Sequence, residues 1–206
     1  MRILYYLRGT IDRRLTYHRS GGTIPKLWRS DNMKEVLTGS CKPADKMAAM
    51  VDADYASCPT TRRSTSGWLV FLAGAPIAWG SKKQSITATS SAEAEYVALA
   101  TCAKDVMALR HLISQLPVPK INGPTIIYED NSACIKMVKN PRGWKHTKHI
   151  DVRLHFVRDL NEANELEIEH CAGDMQIADA LTKPLDPKKY LKFRNAMLGL
   201  PPDEDF

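Results

Sequence analysis

The stretch Ser66-Gly-Trp-Leu-Val-Phe-Leu-Ala-Gly74, followed at once by Pro76-Ile-Ala-Trp-Gly80, decides the fold. Both runs are apolar, rich in aromatic and β-branched residues and closed by glycine, so each reads as a strand, and the short link between them makes an antiparallel pair. Upstream, Ala48 to Ala53 is another short apolar run, carrying Asp52, and completes a three-stranded antiparallel meander. Downstream the period changes from two to between three and four. Ser91 to Leu116 reads as a long helix, Thr125 to Glu129 as a strand, and a second helix starts at about Ser132. A third helix covers about Thr147 to Leu160, Glu165 to Cys171 is a strand, and a final helical region starts near Met175. Strands reached through helices pair in parallel. The expected fold is therefore α/β, a five-stranded mixed sheet with three antiparallel then two parallel strands, flanked by helices.

The rest of the chain adds little to this core. At 206 residues, 44% hydrophobic and 25% charged, the composition is that of a globular protein with one main domain and an appendage. The appendage is the beginning: Met1 to Gly9 reads as a short helix and Leu15 to Arg19 as a strand ahead of Gly21-Gly22, a fragment too small for its own core. The expected division is an arm over 1–45, the domain over 46–198 and a disordered tail over 199–206. No apolar run approaches the roughly 20 residues that span a bilayer, and a basic amphipathic segment follows Met1 in place of a signal peptide's apolar stretch. A soluble, intracellular protein with no membrane partner is expected. The five cysteines, Cys41, Cys58, Cys102, Cys134 and Cys171, form no C-x-x-C pair and read as reduced thiols, several of them in the core. His146 and His149 lack the cysteine partners that a zinc site needs.

The net charge of +6 is unevenly spread. Residues 1–45 account for +5 of it. Ile135 to Arg158 then carries seven basic residues against Asp151 alone, and Asp159 to Asp179 carries seven acids with no Lys or Arg. A basic stripe beside an acidic cluster suits an enzyme that grips a polyanion and cuts it with metal.

Four carboxylates fall where strands or helices end at a shared edge: Asp52, Glu95, Asp130 and Asp179. Ser90 and Glu93 make a capping box, which gives Glu93 a structural explanation. Glu95 has none. It lies in line with Leu99, Cys102, Val106, Leu109, Ile113 and Leu116, the face that must pack on the sheet, where an acid is costly unless a cation or donors meet it. Asp52 and Asp54 share a strand face, and Asp52 is the ligand because it lies within the apolar run. Asp130 follows Thr125-Ile-Ile-Tyr-Glu129 at the carboxyl end of a parallel strand, where α/β sites gather, a helix N-cap being the alternative. Two divalent ions roughly 3.5 to 4 Å apart need several shared carboxylates, and four acids from separate elements supply them. The expected cofactor is two Mg²⁺, with Mn²⁺ as substitute, and the expected chemistry is phosphodiester hydrolysis.

These residues resemble a known family. Val51-Asp-Ala-Asp-Tyr-Ala56, Arg63-Ser-Thr-Ser-Gly67, Trp79-Gly-Ser-Lys-Lys-Gln84 and Ser90-Ser-Ala-Glu-Ala-Glu-Tyr96 look like segments of the ribonuclease H domain of copia-type retrotransposon polyproteins. So do Tyr128-Glu-Asp-Asn131, Thr147-Lys-His-Ile-Asp-Val-Arg153 and Ala178-Asp-Ala-Leu-Thr-Lys-Pro-Leu185, and the match runs in order from about Ala48 to Leu198. Residues 1–20 are similar to the end of that family's reverse-transcriptase connection, while the polymerase palm is absent. The resemblance implies a ribonuclease H-like fold, cleavage of the RNA strand of RNA/DNA hybrids, and a D-E-D-D metal set at Asp52, Glu95, Asp130 and Asp179. Many cellular ribonucleases H carry a histidine on the loop before the last aspartate. Here that loop reads Cys171-Ala-Gly-Asp174, with His170 in the preceding strand, and copia-type domains usually lack the histidine too.

Substrate contacts follow as hypotheses. The hydroxyls of Thr87, Thr89, Ser90 and Ser91 precede Glu95 and suit 2′-hydroxyls, which distinguish RNA from DNA. Arg62, Arg63, Lys82, Lys83, Lys145, Lys148 and Arg153 suit phosphates, and Asn131 adjoins the third acid. The expected partner is a nucleic acid hybrid, with a reverse-transcriptase body as a further one. A non-catalytic nucleic-acid-binding remnant is the second reading, and a transposase or exonuclease the third. Transposases of this fold usually place a glutamate on the last helix, and acidic exonucleases favour D-x-E in the first strand, where this chain has D-x-D.

Overall fold

A computed structural model describes residues 8, 11–15, 47–140 and 148–200, apart from the side chains at 148–151 and 154. The helix and strand expected at the start of the chain fall mostly outside those residues, as do the histidine pair and Lys145.

Strands β1 (Met47–Asp54), β2 (Thr65–Leu72) and β3 (Ala75–Lys83) form the meander. Strands β4 (Thr125–Glu129) and β5 (Leu166–His170) add in parallel beside β1, giving the order β3-β2-β1-β4-β5. The mixed five-stranded sheet is the one the sequence predicts. Helix α1 (Ser91–Gln115) connects β3 to β4, α2 (Ser132–Lys139) and α3 (Lys148–Glu162) lie between β4 and β5, and α4 (Asp179–Thr182) and α5 (Pro187–Leu198) follow β5.

Alternation along β1 divides the core. Met47, Ala49, Val51 and Ala53 face one side with Leu99, Val106, Met137 and Val157, under α1, α2 and α3. Ala48 and Met50 face the other, with Leu69, Phe71, Tyr128, Ile177 and Phe193, under the chain that carries α4 and α5. Asp52 belongs to this second face by its even register. Glu95 reaches the same edge from the first face, because α1 lies there.

The expectation of one helical region from Met175 is corrected by the structure. Turns run from Ala172 to Asp179, closed by Met175 N–H to Ala172 O at 2.8 Å and Asp179 N–H to Gln176 O at 3.2 Å, before the short α4. Pro184 stops that helix, since it disfavours helical backbone at the residue before it. Pro187 then opens α5 in its first turn, behind the Asp186 cap. At the other end Gly199, at φ 68°, and Leu200 close α5 through bonds to Ala196 O and Asn195 O, so these two residues complete the helix instead of beginning a tail.

Two residues fit the turn segment to the sheet. A Cβ on Gly67 would lie 2.6 Å from Thr182 Cγ2, 3.0 Å from Leu181 Cβ and 3.1 Å from Ala178 O, so only glycine lets α4 rest on β2 beside Asp52, its partner in the ladder. The ladder of β1 with β4 ends at Met50 and Tyr128. Just there the buried Gln176 side chain donates to Val51 O at 2.9 Å and Tyr128 O at 3.5 Å, satisfying carbonyls that the diverging strands leave behind.

Candidate active site

Asp52 stands two residues beyond the last β1–β4 pair and is 1% exposed. Glu95, 6% exposed, comes from the second turn of α1, whose start is fixed by Ser90: its Oγ accepts from Glu93 N–H at 3.2 Å. The capping box is present in altered form. The Glu93 carboxylate reaches back to the N–H of Thr89 at 2.7 Å, and to its hydroxyl, one residue before the cap. Asp130 follows β4 directly. The N-cap of α2 is Asn131, whose Oδ1 accepts from Ala133 N–H at 3.0 Å and Cys134 N–H at 3.1 Å, so the capping alternative for Asp130 is excluded.

Asp52, Glu95 and Asp130 each offer one oxygen, and these atoms lie within 4.8 Å of one another. Asp179, at the start of α4, is drawn into ion pairs instead. Its Oδ1 lies 2.8 Å from Lys183 Nζ and its Oδ2 2.7 Å from Lys189 Nζ. Lys183 Nζ also lies 3.5 Å from Asp52 Oδ1, and Thr182 Oγ1 donates to Asp52 Oδ2.

A further acid completes the electrostatics. Strand alternation turns Glu129 to the α1 face, where it is fully buried, its Oε1 accepting from Asn131 N–H at 3.0 Å. Glu95 Oε2 and Glu129 Oε2 are both buried with no hydrogen-bond partner among the described residues. Burial, then the charges of Glu129, Asp52 and Asp130, push the Glu95 carboxyl up to about 11 against one hydrogen bond from the Ala53 backbone. Glu129 is raised well above its ordinary value, by burial first and then by Asp130 and Asp52. Burial raises Asp52 to about 6, although the Thr182 hydrogen bond and Lys183 pull it down. Asp130 is raised by burial and by Asp179. Burial would lower Lys183, but Asp179 and Asp52 outweigh it and hold the ammonium above its ordinary value.

Orphaned carboxylate oxygens that resist ionisation mark a place short of positive charge. Hard oxygen donors from three elements, converging with unfilled lone pairs, fit Mg²⁺ or Mn²⁺ and not a softer metal. The donor set therefore passes the test for a divalent ion.

The residues expected to meet nucleic acid gather only in part. The rows Ala53–Ser66–Lys82 and Asp54–Thr65–Lys83 run across β1, β2 and β3 beside the Asp52–Gly67 pair, which brings Lys82 and Lys83 to the same end of the sheet as the acids. Arg62 and Arg63 lead into β2, and all four are exposed. Lys83 Nζ donates to Cys58 Sγ at 3.1 Å. Thr87, Thr89, Ser90 and Ser91 are exposed on the approach to α1, with the Thr89 hydroxyl committed to Glu93. Lys145 and the Lys148 side chain lie outside the described residues, and Arg153 is half-buried. Arg158, counted in the basic stripe, is buried and donates from Nε and Nη2 to Met137 O at 3.2 and 3.0 Å, so it serves packing of α3 on α2.

Sequence reasoning missed Glu129, Thr182, Lys183, Lys189 and Gln176. A signal existed for two of them. Lys183 stands four residues after Asp179, the spacing of neighbours on a helix, and Glu129 alternates with Tyr128 onto the face that α1 covers.

No family model matches the chain. It is 30% identical over 203 residues to the retrovirus-related Pol polyprotein from transposon RE2 of Arabidopsis thaliana, covering 98% of this chain and 12% of that one. It is 34% identical over 145 residues to the corresponding polyprotein from transposon RE1 of the same plant, covering 70% and 10%. A third relative, the polyprotein from transposon TNT 1-94 of Nicotiana tabacum, is 31% identical over 188 residues, covering 91% and 12%. The chain thus spans about an eighth or less of these relatives. Among solved structures, that of LC11-RNase H1, isolated from compost, superposes with a TM-score of 0.50 at 14% identity, covering 67% of this chain and 93% of that one. That likeness shows the fold.

Proposed function

The chain belongs to the retrovirus-related Pol polyproteins of copia-type transposons, matching their ribonuclease H region, and we propose that it hydrolyses the RNA strand of RNA/DNA hybrids as a metal-dependent endonuclease. The observation that carries this reading is the convergence of Asp52, Glu95 and Asp130 oxygens within 4.8 Å, with Glu95 Oε2 buried and unpartnered. Asp52, Glu95 and Asp130 are assigned as the ligands of one Mg²⁺ or Mn²⁺, and Asp52 with Asp179 as those of a second. Divalent ions bound there supply activation of the attacking water and stabilisation of the leaving 3′ oxygen.

The chain's own residues position and recognise. Thr182 holds one Asp52 oxygen, so the carboxylate keeps a fixed orientation. Arg62, Arg63, Lys82 and Lys83 take phosphates along the strand ends, joined by Lys145, Lys148 and Arg153. Thr87, Thr89, Ser90 and Ser91 meet 2′-hydroxyls, and Asn131, next to Asp130, is a further contact to the nucleic acid. Residues 46–198 are the nuclease unit in this reading, and 1–45 the end of the connection to a reverse-transcriptase body, which is the proposed protein partner.

The engagement of both Asp179 oxygens by lysines favours a second reading, a non-catalytic nucleic-acid-binding remnant. Cleavage of a labelled RNA/DNA hybrid in Mg²⁺ or Mn²⁺, with Asp52→Asn and Asp130→Asn as controls, separates them. Metal-dependent cutting of the RNA strand, abolished in both variants, supports the nuclease. Hybrid binding without cutting by folded protein supports the remnant.

A further inference from the structure

We propose that in the free protein the Lys183 ammonium occupies the position of the second cation, so that this chain takes up one divalent ion readily and a second only when Lys183 leaves. The inference rests on the metal-centre reading above. Three acids form one cluster, and the fourth has each oxygen in an ion pair with an ammonium group, Oδ2 through a hydrogen bond and Oδ1 by proximity alone. Lys183 is the ammonium that touches two of the four, at 2.8 Å from Asp179 Oδ1 and 3.5 Å from Asp52 Oδ1. A cation shared by Asp52 and Asp179 needs the space between those same oxygens, and it carries charge of the same sign. Both cannot be there.

The two lysines are not equivalent. Lys189 Nζ binds Asp179 Oδ2 and Gly173 O, at 2.7 and 3.1 Å, and among the described residues it makes no ion pair with Asp52. Lys183 caps the end of α4, its N–H donating to Asp179 O at 3.1 Å, and its side chain is 36% exposed. Its carboxylate partners are only 4% and 2% exposed, so withdrawal into water alone is costly, and the ammonium is an occupant that another cation displaces by taking over its charge. Glu95 has no such occupant: among the described residues its Oε2 has no hydrogen-bond partner.

The test counts metal and does not depend on turnover. Protein stripped with EDTA is titrated with Mn²⁺, and free Mn²⁺ is followed by electron paramagnetic resonance. The wild type is expected to bind one Mn²⁺ per chain in the sub-millimolar range. Lys183→Met, which keeps the stem and removes the charge, is expected to bind two, with at least a tenfold gain at the second site. Lys183→Arg and Lys189→Met are expected to stay at one. Equal counts for Lys183→Met and the wild type overturn the proposal, and so does a count of two for Lys189→Met, since that would make the effect one of net charge alone. Failure of the metal-centre reading itself looks different: the wild type then binds no Mn²⁺ that Asp130→Asn abolishes.

Discussion

Replacing Glu95 by Gln should make the metal-free protein more stable in alkaline buffer while destroying its capacity to hold metal. The Glu95 carboxyl has an ordinary value of 4.5 and is pushed up to about 11 by burial and by Glu129, Asp52 and Asp130. Between those two values the folded protein retains a proton that the unfolded chain has released. Stability contributed by the proton is therefore lost as pH rises above 4.5, and below 4.5 both states are protonated and no dependence remains. One retained proton corresponds to about 1.4 kcal/mol per pH unit, so from pH 5 to pH 8 the wild type loses on the order of 4 kcal/mol through this group. Gln keeps the volume and has no proton to lose. Urea unfolding in EDTA, repeated across that pH range, should give a pH dependence of stability for Glu95→Gln shallower by about one proton than that of the wild type. Added Mn²⁺ should flatten the wild-type slope and leave the variant unchanged. Parallel slopes for the two proteins would refute the argument that an uncompensated carboxyl is buried here.

Gly67→Ala places a methyl 2.6 Å from Thr182 Cγ2 and should cost about 1–3 kcal/mol in urea unfolding while weakening Mn²⁺ binding, because α4 must move off β2 beside Asp52. Gln176→Met leaves Val51 O and Tyr128 O without their donor and should cost about 1–3 kcal/mol by the same assay. Hybrid affinity should fall steeply with salt, and Lys82→Ala or Arg63→Ala should each reduce the slope of log affinity against log salt by about one, measured by fluorescence anisotropy.

Much of this architecture is legible in the chain because it rests on short-range periodicity. The meander, the long α1 and the two parallel strands follow from period-two and helical patterns, and the buried line through Glu95 was visible as an acid on an apolar stripe. What escaped depends on approach in space. Nothing in the neighbourhood of Gln176 announces that its amide meets carbonyls of β1 and β4, and Gly67 reads as one more strand glycine until α4 is laid against it. The region near Met175 read as helix because its apolar residues have helical spacing, whereas prolines at 184 and 187 divide it. The sequence names Asp179 among the four carboxylates, but its lysine partners gain meaning only beside Asp52.

The hydrogen bond from Thr182 to Asp52 joins residues 130 positions apart. A ribosome that adds roughly 5–20 residues per second separates the two by about ten seconds. During that interval β1, the meander and much of α1 already exist as chain, but the segment that orients Asp52 and supplies Asp179 has not been made. Assembly of the four acids is thus one of the last events in the synthesis of this unit, because Asp179 and Thr182 emerge only after all five strands and α1 to α3 have been made.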